Sequence, residues 1–114
     1  MAATLTESPP QIETGQESEE RKSPLYNVVL LDDNEHSYDY VIEMLTRLFY
    51  FGESRAFRHA VEVDTTGRTI ILTADLEEAQ MAKDLIHGYG ADPRMPISKG
   101  SMTAVIEPAS KGAA

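Results

Sequence analysis

The sequence predicts an α+β fold, a βααβαβ sandwich in which helices cover one face of a three-stranded antiparallel sheet. Three observations carry that expectation. Aliphatic and β-branched residues run together at 28–31, 68–73 and 102–106, as buried strands require. Two stretches between the first and second runs keep a helical spacing of apolar residues, and one more lies between the second and third. The strands are therefore joined first by two helices and then by one.

Taken in order, residues 1–24 contain Pro9, Pro10, Gly15, several Ser and Thr, and almost no large aliphatics. Such a segment cannot bury enough surface to offset the entropy of ordering it, so a disordered N-terminal arm is expected there. Residues 25–108 supply the folded domain, and 109–114 are expected to be a disordered tail. In the first strand Val28, Val29, Leu30 and Leu31 give way to Asp32, Asp33, Asn34 and Glu35, and Asp and Asn favour turns and helix starts. Tyr38, Val41, Leu45, Leu48 and Phe49 then place one apolar face on a first helix, which stops near Tyr50, Phe51 and Gly52. A second helix starts at Glu53 or Ser54 and carries Ala56, Phe57, Ala60 and Val61. It is expected to end at the turn-forming run Val63, Asp64, Thr65, Thr66, Gly67. Asp75 followed three residues later by Glu78 resembles a capping box and opens a third helix, with Ala79, Ala82, Leu85, Ile86 and Tyr89 on its apolar face. Gly88 and Gly90 stop it. A loop holding Pro93, Pro96 and Gly100 leads into the last strand.

Charge and composition restrict the function. Of 114 residues, 19 are Asp or Glu and 10 are Lys or Arg, a net charge of −9. That balance repels phosphate backbones and anionic membranes and favours cationic ligands, so neither nucleic acid nor membrane is an expected partner. There is no cysteine, which rules out disulfides and thiol nucleophiles. With no span-length apolar window and no signal-peptide pattern at the start, a cytoplasmic protein is expected. No metal or other cofactor is expected. His36, His59 and His87 are too far apart in sequence for a zinc pair, and a calcium loop counted from Asp32 would need glycine where Ser37 stands. No nucleophile elbow, P-loop or dinucleotide motif occurs, so no enzyme is expected.

The chemistry concentrates at Asp32, Asp33 and Asn34, where the first strand turns into the first helix. Negative charge near a helix N-terminus is welcome in itself. A third acid, Asp64, arrives where the second helix ends and can face the same corner. Converging carboxylates repel unless a cation sits among them, and an ammonium group with three donors fits that place.

The pattern of Tyr26, Val28, Val29, Leu30, the Asp32-Asp33-Asn34 corner, then Tyr40, Val41, Ile42, Leu45, Val63 and Gly67, resembles the ClpS family of Clp protease adaptors. The likeness runs from Leu25 to about Pro108 and includes the ending Ile106, Glu107, Pro108, Ala109. It implies an adaptor that grips the free α-amino group of a substrate's N-terminal residue, typically Leu, Phe, Tyr or Trp, and passes the chain to the N-domain of a ClpA- or ClpC-type AAA+ unfoldase working with ClpP. The resemblance assigns the amino-group contacts to Asp32, Asp33, Asn34 and Asp64, where the family usually has Asn-Asp-Asp and a His. It assigns the side-chain pocket to Tyr38, Val41, Ala60, Val63 and Met102. The family commonly has Met at the places of Tyr38 and Ala60, so the entrance is bulkier here and the opposite wall smaller, with room for Ile or Val. Unfoldase docking falls to Glu77 and, in place of a family base at Ala82, to Lys83. The departures at Asp32, Asn34 and Asp64 keep a second reading open: an interaction domain that modulates the unfoldase without recognising N-terminal residues.

Overall fold

The computed structural model describes residues 24–109. The arm expected over 1–24 and the tail over 109–114 therefore lie almost wholly outside the described residues. Six elements follow in the expected order: β1 (Tyr26–Leu31), α1 (Tyr38–Phe49), α2 (Glu53–Thr66), β2 (Arg68–Ala74), α3 (Leu76–His87) and β3 (Ala104–Pro108). β1 is central and pairs antiparallel with both neighbours, giving the order β2-β1-β3.

Alternation along β1 sends Val28 and Leu30 into a core shared with Tyr40, Met44, Leu45, Ala56, Ile71 and Ile86. Among the described residues no helix lies on the opposite face of the sheet. There Val29 sits between Ile70 and Val105 in register. Arg68 stands beside Leu31 and Glu107 beside Asn27, and their 2.7 Å ion pair spans this open face past the row of Val29, which is only 1% exposed. In β2 the register slips between Val28 and Val29, leaving Ile71 as an extra, buried residue. Arg55 of α2 donates to its carbonyl at 3.0 Å, so the helix covers part of the sheet edge.

Asp75 caps α3 as expected, its side chain accepting from the Glu78 N–H at 2.9 Å. Three local expectations are corrected. α2 continues through Asp64 to Thr66, because the Thr65 and Thr66 hydroxyls bond back to the Val61 and Glu62 carbonyls and Gly67, at φ +93°, supplies the left-handed stop. β3 starts at Ala104, two residues later than expected, and leaves Met102 in the approach, buried at 2%. On α1 the buried residues are Tyr40, Val41, Met44 and Leu45, so Tyr38 stands at the rim instead of in the core stripe.

Candidate functional site

Four segments meet at the C-terminal end of β1: the corner 32–37, the first turn of α1, the last turn of α2 and the approach to β3. Backbone pairing fixes the meeting. The Asp32 N–H donates to the Gly67 carbonyl at 2.9 Å and the Leu31 N–H to the Thr103 carbonyl at 3.0 Å. Asp32 is thereby tied to the turn that follows Asp64, one helical turn away. Two left-handed or turn-forming features, Gly67 and the Asx turn at Asp33, make this close approach possible.

The corner is held from inside. Asp33 Oδ1 accepts from the Glu35 N–H at 2.8 Å. His36, whose side chain is 3% exposed, sets Nδ1 against both oxygens of Asp33, at 2.8 and 3.0 Å, and Nε2 against the Gly100 carbonyl at 2.7 Å. Ser37 caps α1 by accepting from the Tyr40 N–H. Its own N–H and hydroxyl both donate to Asp92 Oδ2 at 2.7 Å. Asp92 is 1% exposed, and burial alone would push its carboxyl up; the N–H groups of Ser37 and Arg94, the Ser37 hydroxyl and the Arg94 guanidinium overcome this and hold it at about 2. The loop after α3 is thus pinned to the first turn of α1 by a buried charge.

At the mouth, Tyr38 donates its phenolic hydrogen to Asp64 Oδ2 at 2.8 Å. Phe57 meets the Tyr38 ring edge-on, with centroids 6.2 Å apart. Behind them Val41, Ala60, Val63 and Met102 form an apolar floor, each buried. The enclosed space is about 40 Å³, room for roughly three water molecules. A larger hollow of about 740 Å³ follows the outside of α2, lined among the described residues by that helix alone.

Of the residues assigned to the site from sequence, Asp32, Asp33, Asp64, Tyr38, Val41, Ala60, Val63 and Met102 line this one cleft. Asn34 is exposed and stands outside its lining. His36 and Ser37 also line it and were not assigned. A signal for both existed: His36 stands three residues after Asp33 across a turn, and Ser37 directly precedes a helical run. Glu77 is exposed and Lys83 half-buried on α3. Six positions at 100° each separate them, so they do not share a stripe. Among the described residues no group of three or more His, Asp or Glu could hold a metal ion, and no helix is long and apolar enough to cross a membrane.

Three carboxylates stand over an apolar floor in one cleft at the end of the central strand, which is the geometry of a binding site. A family model described as ATP-dependent Clp protease adaptor protein ClpS matches residues 21–98, and the chain belongs to that family. Its relatives include the ATP-dependent Clp protease adapter protein ClpS of Nautilia profundicola, 30% identical over 73 residues, which are 64% of this chain and 75% of the relative. The protein of the same name from Acetivibrio thermocellus is 28% identical over 90 residues, 77% of this chain and 84% of that one. Among solved structures, ClpS2 of Agrobacterium tumefaciens bound to L-phenylalaninamide matches with a TM-score of 0.60 at 21% identity, covering 76% of this chain and 99% of that one; this likeness speaks for the fold. The chain is an adaptor, and adaptors of this family work with the Clp protease machinery.

Proposed function

We propose that the cleft binds the free α-amino group and first side chain of a substrate's N-terminal residue, and that the adaptor delivers that substrate to a Clp AAA+ unfoldase for degradation by ClpP. The observation that carries this reading is the convergence of Asp32, Asp33 and Asp64 on the rim of a cleft floored by Val41, Ala60, Val63 and Met102. An ammonium between carboxylates relieves their repulsion and makes charge-assisted hydrogen bonds, roughly twice as strong as neutral ones. Ligands of the hydrophobic class, Leu, Phe, Tyr and Trp, match the apolar chemistry of the floor and enter once Tyr38 swings aside, and the short side chain of Ala60 suits Ile and Val. The ClpS2 relative bound to L-phenylalaninamide supports an amine with an apolar side chain as the ligand type. Docking to a ClpA- or ClpC-type N-domain is assigned to α3 at Glu77 and, about a third of a turn round the helix, at Lys83.

One observation favours the modulator reading instead. Tyr38 already occupies Asp64, and the enclosed space of about 40 Å³ admits no large side chain unless Tyr38 moves. The two readings separate on fluorescence anisotropy with labelled peptides beginning Leu, Phe, Ile, Val, Arg or Ala, each with a free and an acetylated N-terminus. Binding that acetylation or Asp33→Ala abolishes establishes N-terminal recognition. Absence of binding by every free peptide overturns it in favour of modulation.

A further inference from the structure

Through its buried imidazole, His36 lines the cleft and reaches from the rim to the segment that precedes Met102. Its side chain is 3% exposed, and its ring lies 4.5 Å from that of Tyr40, centroid to centroid, which fixes it against the core. Nδ1 contacts both carboxylate oxygens of Asp33, and Nε2 contacts the Gly100 carbonyl, with the Ser98 hydroxyl 3.2 Å away. Gly100 precedes Met102, which forms part of the apolar floor, by two residues. The imidazole is therefore a brace between the carboxylate at the rim and the segment that carries one wall of the side-chain pocket.

A carboxylate on a free corner turns about two bonds and presents its lone pairs in many directions. Here the Glu35 N–H takes one direction of Oδ1 and the imidazole nitrogen sits against both oxygens, so the carboxylate of Asp33, which lines the cleft, is held in one orientation from two sides. A group held in its binding orientation before the ligand arrives loses less entropy on binding. We infer that His36 is a positioning residue for amino-group recognition: it orients the Asp33 carboxylate and couples that orientation, through Gly100, to the Met102 wall. This rests on the reading of the cleft as an N-terminal amine site.

The test uses the full chain with His36→Asn, His36→Gln and His36→Ala. An Asn amide nitrogen reaches the place of Nδ1 and can donate to Asp33 but falls short of Gly100. A Gln amide reaches toward Gly100 and misses Asp33. Each variant is checked for fold by circular dichroism and Tm, and its affinity is measured for the best free-amine peptide and for the acetylated form of the same peptide. The free-to-acetylated affinity ratio is expected to fall about tenfold in His36→Ala and His36→Gln, and to be largely restored in His36→Asn, as the loss and return of one charge-assisted bond would give. A purely structural role moves Tm and both affinities together and leaves the ratio alone. An unchanged ratio in folded His36→Ala, or equal ratios in the Asn and Gln variants, overturns the inference. A wild-type chain that does not distinguish free from acetylated peptide overturns the amine-site reading itself, and this inference with it.

Discussion

Tyr38 and Asp64, 26 residues apart in sequence, are joined by a 2.8 Å hydrogen bond across the mouth of the cleft. The phenol donates and the carboxylate accepts. Donation to Asp64 raises the Tyr38 pKa, with burial and the nearby charges of Asp64 and Asp32 acting in the same direction. On the proposed reading of the cleft, an ammonium ligand and the phenol compete for the Asp64 carboxylate.

Tyr38→Phe keeps the ring and removes the competitor. Affinity for free-amine peptides is expected to rise several-fold, while acetylated peptides are unaffected. Titration by ultraviolet absorbance provides a second check: Tyr38 and Tyr40 are both raised above the ordinary phenol value, Tyr40 chiefly by burial, and in Asp64→Asn, which removes the acceptor charge and the repulsion, Tyr38 should ionise at lower pH and leave one late-ionising tyrosine. Equal affinities for wild type and Tyr38→Phe would show that Asp64 takes no part in amine binding.

Asp92 is expected to govern acid stability. Its carboxyl stands at about 2 in the folded chain against 3.8 for a free aspartate. A depressed folded value contributes stability that is present above the unfolded value and is lost as pH falls from about 4 through 2, worth roughly 2 kcal/mol. Asp92→Asn turns an amide N–H₂ toward donors on Ser37 or Arg94 and should cost about 3 kcal/mol, measured by urea unfolding at pH 7. Between pH 4 and pH 2 the variant should lose less stability than wild type. Parallel pH profiles for the two proteins would contradict this account.

The order of elements was legible because each strand run and helix period is local, and so was the corner, since Asp and Asn after four aliphatics can hardly continue a strand. The end of α2 was misread for a physical reason: Thr65 and Thr66 look like turn residues, yet their hydroxyls satisfy carbonyls of the preceding turn and leave the helix intact. That extension places Asp64 on a rigid turn facing Tyr38. Asp92 left no signal at all, because a lone Asp in a Pro-containing loop reads as solvent-exposed and its partner Ser37 is 55 residues away. His36 showed only its place three residues after Asp33; its other partner, the Gly100 carbonyl, is 64 positions on and left no trace in the local pattern.

Tyr50 ends α1 at φ +59°, left-handed backbone that a residue with a Cβ adopts at a cost, and its side chain is left exposed, with the residue at 88%. Glycine removes the strain and keeps the N–H that bonds to Leu45 and Thr46. Tyr50→Gly should stabilise the chain by about 0.5 to 1 kcal/mol after the added freedom of the unfolded state is counted. Thermal unfolding reads this directly, and a lower Tm would mean that Tyr50 makes a contact that outweighs the strain.

Deleting residues 1–24 is expected to spare peptide binding, since among the described residues those lining the cleft run from Asp32 to Met102. Delivery should weaken, measured as degradation of a Leu-initiated reporter by a reconstituted unfoldase and ClpP. Loss of peptide binding on truncation would place part of the recognition site in the arm.

Salt dependence tests the electrostatic half of the site separately from the apolar half. Asp32, Asp33 and Asp64 line the rim of the cleft, and Asp32 and Asp64 are exposed. Screening lengths fall from about 10 Å at 0.1 M to about 3 Å at 1 M, which cuts the attraction between an approaching ammonium and the more distant of these carboxylates. The chain's net charge of −9 adds a long-range pull that is screened as well. Sodium chloride leaves the contacts of the buried floor largely as they are. Kd for a free-amine peptide should therefore rise several-fold between 0.05 and 1 M sodium chloride. The same peptide acetylated, whose residual binding depends on the floor alone, should change little. If both curves were flat, the carboxylates would be acting only through short hydrogen bonds; if both rose together, salt would be acting on the fold and not on the grip.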